Sequence, residues 1–121
     1  MLLADGTVHG RRLLSPASVR QMTTDQLTQS QRDASELFLE GQGQGQGQGQ
    51  GWGWGFGGSV DVETNDPWNV PGRYGWVGGT GTAAHITAST GAVTILLSRL
   101  ELAGPTPPAL MRDFWRCAAD A

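Results

Sequence analysis

No lysine occurs anywhere in the 121 residues; all eight basic side chains are arginine. Any chemistry that needs a lysine amine is therefore excluded from this chain. One cysteine, Cys117, cannot close an intramolecular disulfide, and no Cys/His spacing resembles a zinc site, so neither metal nor other cofactor is expected. Long hydrophobic runs are missing as well. Met1-Leu2-Leu3-Ala4 meets Asp5-Gly6 at once, far short of the ~20 apolar residues of a membrane helix or the apolar core of a signal peptide. The chain is expected to carry no export signal and no membrane span, with the cytoplasm as default location, although a longer parent chain could carry a signal upstream. A net charge of −3 leaves no basic patch, so a nucleic-acid partner is not expected.

Glycine, in contrast, is abundant: nineteen glycines against 38% hydrophobic residues make a lean core for one domain or for part of a larger one. Four of them, Gly75, Gly78, Gly79 and Gly81, interrupt a run of strand character from Pro71 to Ile86. Glycine inside a strand marks a bulge or a place where a ligand or another backbone comes close. Arg73, Tyr74 and Trp76 set large side chains beside that bare backbone, and the stretch reads as the wall of a pocket.

Around this wall the chain divides into three parts: a helical segment and loop over 1–40, a Gly-Gln tract over 41–51, and antiparallel strands with a C-terminal helix over 52–121. Met1 to Ala4 reads as the last turn of a truncated helix stopped by Asp5-Gly6. Thr7 to Leu14 is a short extended connection turning at Gly10; Ser15 then caps a helix with Pro16 in its first position, Val19 and Met22 on one side, and an end near Thr23-Thr24. Thr28 to Glu40 is polar apart from Leu37, Phe38 and Leu39, and five Gly-Gln repeats follow with no apolar side chain to bury, which predicts a flexible loop.

Trp52-Gly53-Trp54-Gly55-Phe56 has a strict period of two and predicts a strand with three aromatics on one face, continuing through Val60 and Val62 to a turn at Asn65-Asp66-Pro67. Asp61, Glu63 and Asp66 lack the ligand density of a calcium loop and read as a solvated acidic edge. Thr80 to Thr87 and Ala92 to Leu100 read as two further strands. Val93, Ile95 and Leu97 on one face and Leu96 on the other predict that the last strand is covered on both sides at the centre of the sheet. Thr106 is placed to cap a helix starting at Pro107-Pro108, with Leu110, Met111, Phe114, Cys117 and Ala118 in one buried stripe. His85, alone in its strand, reads as structural.

The fold class is thus α+β, a three-stranded antiparallel sheet with flanking helices. In this order, Leu13-Leu14-Ser15-Pro16-Ala17-Ser18-Val19 with Met22-Thr23, Gly53-Trp54-Gly55-Phe56-Gly57-Gly58, and above all Pro71 to Thr82 resemble the C-terminal portion of the β-lactamase/transpeptidase-like fold. The likeness is to class C-like esterases and β-lactamase-related serine hydrolases in particular. In that family a Ser-x-x-Lys motif, a Tyr- or Ser-x-Asn motif and a Lys-Thr-Gly type triad converge on one pocket. The resemblance implies that Trp76-Val77-Gly78 is the triad, forming a substrate-binding wall, and that Gly79 supplies an oxyanion-hole N–H.

Two departures accompany it. Without lysine there is no Ser-x-x-Lys, and Tyr74, the one tyrosine, is followed by Gly75-Trp76, so no Tyr-x-Asn exists either. Val77 also replaces the small or polar middle residue of the triad. What the resemblance implies is a fragment of a serine hydrolase acting on a small ester or amide, inactive alone because the nucleophile must come from another portion, and prone to associate through uncovered sheet edges. The alternative class is a non-catalytic binding or interaction module that uses Trp52, Trp54, Phe56, Trp68 and Trp76 as a stacking surface.

Overall fold

Alternating apolar strands separated by glycine turns form a meander, and the computed structural model describes one over residues 1–34, 51–104 and 106–120. The Gly-Gln tract up to residue 50, and Leu37-Phe38-Leu39 before it, lie outside the described residues. Strands β3 (Trp52–Trp54), β4 (Ser59–Asp61), β5 (Arg73–Gly78), β6 (Thr82–Thr87) and β7 (Ala92–Leu97) form a five-stranded antiparallel sheet in sequence order. Ahead of it, β1 (Thr7–Val8) and β2 (Arg11–Arg12) make a small hairpin through His9-Gly10, preceded by a 3₁₀ turn at Leu2–Ala4. The architecture is α+β, and among the described residues no helix is long and apolar enough to cross a membrane.

The expected three strands become five for a local reason. The aromatic segment does not run on to Val62: Gly55 N–H donates to the Gly58 carbonyl at 2.8 Å, and the chain reverses there. Two strands result, with Trp52 opposite Asp61 and Trp54 opposite Ser59. Phe56 falls at the tip of the turn, 51% exposed, instead of extending an aromatic row. In addition, Arg73–Gly78 is a strand of its own, paired along its whole length with β6.

Helix α1 (Pro16–Thr23) begins as its sequence predicts. Ser15 Oγ accepts from Ser18 N–H at 3.0 Å, Pro16 takes the first turn, and Val19 is buried. A second short helix, α2 (Gln29–Ala34), lies in the stretch read only as polar. Its start is a capping box: Gln31 N–H donates to Thr28 Oγ1 at 3.3 Å, while Thr28 N–H donates to Gln31 Oε1 at 2.9 Å.

Helix α3 (Ala109–Ala119) covers one face of the sheet. Thr106 does not cap it; Pro108 occupies the N-cap position with no side-chain hydrogen bond. Met111 and Trp115, one turn apart, point inward and join Trp68, Val77 and Ala83 in the core, with Leu96, Leu102 and Phe114 packed around them. Burying a side chain such as Met111 contributes on the order of 2 kcal/mol. The bulk of Trp115 fixes the helix rotation, and this turns Cys117 outward to solvent and leaves Leu110 half exposed. Both therefore depart from the expected stripe.

The position of β7 also differs from expectation. A meander adds strands in order, so the last one takes the edge, and α3 covers only the face that carries Leu96. Val93, Ile95 and Leu97 are left 55%, 60% and 80% exposed.

Candidate functional site

The wall predicted at Pro71 to Ile86 is the β5–β6 hairpin, and its two faces differ sharply. Residues opposite each other across an antiparallel pair share a face. Val77 is opposite Ala83 and both are buried in the core, whereas Trp76 is opposite Ala84 and both are exposed, Trp76 by 46%. The candidate site therefore lies on the Trp76 side. The Val77 side chain does not reach it, and only the Val77 backbone can contribute.

Strand β4 pairs with β5 only through Ser59↔Gly75 and Val60↔Tyr74, so Trp76, Val77 and Gly78 extend past its end. Trp54 stands beside this extension, its ring meeting that of Trp76 edge-on at a centroid distance of 4.7 Å and an interplanar angle of 76°. Tyr74 Oη donates to the Phe56 carbonyl at 2.5 Å and ties the β3–β4 turn to β5. The five aromatics do not form a common surface: Trp52 and Trp68 are buried, Trp54 is half-buried, and Phe56 and Trp76 are exposed. The Trp54–Trp76 contact is the one association of site aromatics that sequence spacing does not announce.

Gly79, Thr80 and Gly81 close the hairpin as a three-residue loop. Gly81 N–H donates to the Gly78 carbonyl at 3.0 Å and Gly81 has φ +83°, the combination of a tight turn with a left-handed residue after it. Leu102 N–H holds the Gly79 carbonyl at 2.9 Å. The Gly79 amide has no hydrogen-bond partner among the described residues, and no atom lies within 4 Å of where its Cβ would be. A free N–H at an open strand end can donate to an incoming carbonyl oxygen.

Behind the wall, on the opposite face, lies a buried polar group. Arg73 Nε and Asp61 Oδ2 form an ion pair at 3.1 Å. The same carboxylate oxygen accepts from Asn69 Nδ2 at 3.0 Å and Val70 N–H at 3.2 Å. The expected solvated acidic edge is thus corrected at Asp61, which is buried because the register turns it to the α3 side and Arg73 neutralises it there. Burial raises the Asp61 carboxyl pKa above its ordinary value, opposed by the Arg73 charge and by these hydrogen bonds. Burial likewise lowers that of Arg73, opposed by Asp61. The Arg73 guanidinium lies over the Trp115 ring, 5.3 Å from its centroid.

His85 meets Trp115 edge-on at 5.6 Å, and neither ring nitrogen has a hydrogen-bond partner among the described residues. Burial, with the charge of Arg73 added, lowers its pKa to about 3. It is a buried neutral group on the face away from Trp76 and is not placed to serve as a base there. Its consequence is for stability. Between pH 6.5 and about 3 the unfolded chain binds a proton at His85 that the folded chain does not. The His85 contribution is therefore complete above pH 6.5 and is lost as pH falls, by up to about 1.4 kcal/mol per pH unit. Urea melts from pH 7 to pH 4 are expected to show this decline, and His85→Gln to flatten it; an unchanged slope in the variant would rule it out.

Among the described residues no group of three or more His, Cys, Asp or Glu side chains is placed to hold a metal ion. No family model matches the chain. Two curated proteins of Mycobacterium tuberculosis are similar to part of it: an uncharacterized protein, MT1414, of strain CDC 1551, and protein Rv1367c of strain H37Rv. Each is 62% identical over 37 residues, 31% of this chain and 9% of the relative. The chain thus matches only a small part of the length of these relatives.

Proposed function

We propose that this chain is the sheet-bearing, C-terminal portion of a β-lactamase-related serine hydrolase, and that it supplies one wall of an acyl-transfer site for a small ester or amide. The observation that carries this reading is the end of β5, where an unpartnered Gly79 amide stands in open space next to the exposed Trp76. An oxyanion developing on a substrate carbonyl needs N–H donors at about 3 Å that are held in place before reaction, and one such donor is worth ~3 kcal/mol in the transition state. The Gly78–Gly81 turn bond and the Leu102–Gly79 bond provide that rigidity. The Trp76 and Trp54 rings offer an apolar surface to the acyl or leaving group. The chain holds no lysine and hence no Ser-x-x-Lys, so in this reading the nucleophile and its base come from another portion of the enzyme.

Alone, the chain is expected not to hydrolyse nitrocefin or p-nitrophenyl acetate; turnover above background that disappears on a Ser→Ala change would overturn the proposal. Complemented by an N-terminal half that carries Ser-x-x-Lys, it is expected to turn over p-nitrophenyl acetate. In the complemented enzyme Gly79→Pro should cost 10²- to 10³-fold in kcat. Proline suits the first central position of this turn but removes the N–H. Gly79→Ala keeps the N–H and meets no neighbour, so its activity should stay close to that of the parent. Equal activity in the proline and alanine variants would exclude the amide from catalysis.

A further inference from the structure

Glycine alternates with the aromatics in Trp52-Gly53-Trp54-Gly55-Phe56, and the segment that follows α1 comes close at both glycines. A Cβ on Gly53 would lie 2.4 Å from Cγ and Oδ1 of Asp25, and one on Gly55 would lie 2.2 Å from the Met22 carbonyl oxygen. Both glycines make room for this approach. Through the gap Phe56 N–H donates to the Met22 carbonyl at 2.9 Å, and Trp54 N–H donates to Asp25 Oδ1 at 2.9 Å.

In an antiparallel pair a residue turns both its N–H and its carbonyl either toward the partner strand or away from it. At Trp54 both turn away from β4: the N–H goes to Asp25, and the carbonyl accepts from Gln26 N–H at 2.8 Å. The Trp54 backbone is thus held from the 25–26 side. Asp25 is fixed in turn, because its Oδ1 also accepts from Leu27 N–H at 3.1 Å and its Oδ2 is ion-paired with Arg32, whose Nη1 donates to the Trp52 carbonyl at 2.6 Å. The two charged side chains are 21% and 19% exposed, so salt screens them less than a surface pair. Every group of this clasp belongs to the chain itself.

We infer that Asp25 is a positioning residue for the aromatic wall: by holding the Trp54 backbone it sets the Trp54 ring edge-on against Trp76 and so fixes the orientation in which Trp76 meets a substrate. Trp76 is 46% exposed on a strand that has run past the end of β4, and the Trp54 ring, 4.7 Å away between centroids, stands beside it. Trp76 meets a substrate only in the acyl-transfer reading above, on which this role rests; the clasp itself does not depend on it. A ring held in place beforehand loses less freedom when an apolar acyl or leaving group arrives. That gain is the same in the ground and transition states, so it enters KM and leaves kcat alone. The Gly79 amide, which acts on kcat, is held separately by its turn and by Leu102.

Two indoles in edge-on contact couple their electronic transitions and give circular dichroism that neither gives alone. Trp76→Phe, a change at the surface, measures the share of the Trp54–Trp76 pair in the intact chain, and the Trp68–Trp115 pair remains as an internal reference. Asp25→Ala should lose most of that share, and so should Gly53→Ala, whose Cβ displaces the Asp25 carboxylate without removing it. Asp25→Asn keeps an oxygen that can accept from Trp54 N–H and should retain more of it. In the complemented enzyme Asp25→Ala should raise KM for p-nitrophenyl acetate by ~10-fold, with kcat within about twofold of the parent. A pair signal that survives Asp25→Ala, an asparagine variant no better than the alanine one, loss of both tryptophan pairs together in Asp25→Ala and Gly53→Ala alike, or an unchanged KM would each overturn the inference. A complemented parent without turnover would overturn the acyl-transfer reading instead, and the dichroism of the three variants would still decide whether Asp25 holds the pair.

Discussion

Replacing Gly81 by alanine is expected to lower stability by ~3 kcal/mol or more, and by a far larger amount than the same change two residues earlier. Two costs add at this position. The backbone has φ +83°, which an L side chain adopts only at a cost of about 1–2 kcal/mol. A Cβ there would also lie 1.8 Å from the Leu100 carbonyl oxygen and 2.8 Å from its carbon, both main-chain atoms that cannot swing aside. At Gly79 no atom is within 4 Å and φ is not positive, so alanine is accommodated. Thermal melts should show Gly81→Ala falling by more than about 10 °C and Gly79→Ala by only a few degrees. Equal melting temperatures would mean that the 98–102 segment does not pack behind the turn, and with it the rigidity of the proposed oxyanion donor would be lost.

The glycines of that turn stood out as breaks in a strand pattern, yet they read as a bulge or a close approach within one run and not as the reversal between two strands; α1 was legible because Ser15 and Pro16 act on the backbone next to them. Features set by non-local packing were not. Cys117 and Trp115 are both compatible with an apolar helix stripe, and only the volume available under the sheet decides which one turns inward. The apolar content of β7 suggests burial, but its rank at the end of the meander leaves one face open. Period two was misleading at Gly55-Phe56-Gly57-Gly58, since glycine can both alternate in a strand and reverse it. The α2 helix had a local signal, Thr28 three residues before Gln31, hidden by the polarity of its neighbours. Within the candidate site the spacing of Trp76 and Val77 already required opposite faces, yet the sequence did not say which face is open. The Trp54 contact depends on β4 ending early, which no motif records.

The polar pair behind the wall gives the other large expected effect. Asp61→Ala removes the carboxylate paired with Arg73, whose side chain is 6% exposed, and also the acceptor used by Asn69 and Val70 N–H. Breaking a buried pair from one side costs about 3–5 kcal/mol, because the remaining charge keeps its desolvation penalty without its partner. Arg73→Met should be milder at acid pH for a reason tied to protonation. Burial already raises the Asp61 carboxyl pKa, and loss of the arginine removes the main influence that lowers it. A carboxyl whose folded pKa lies above its unfolded value of 3.8 binds its proton first in the folded state, so Arg73→Met should regain stability as pH falls through that raised value. The His85 loss runs against this gain and in the same direction in both proteins, since burial is its first cause and remains in Arg73→Met, so the variant should decline less steeply than the parent. Denaturant melts of both proteins between pH 7 and pH 4 compare the two slopes. Parallel slopes would mean that Arg73 does not govern the protonation of Asp61. A shallower decline in Arg73→Met than in the parent would identify the guanidinium as the group that opposes protonation of this carboxylate beneath β5, and with it the anchored end of the strand that presents Trp76 and Gly79.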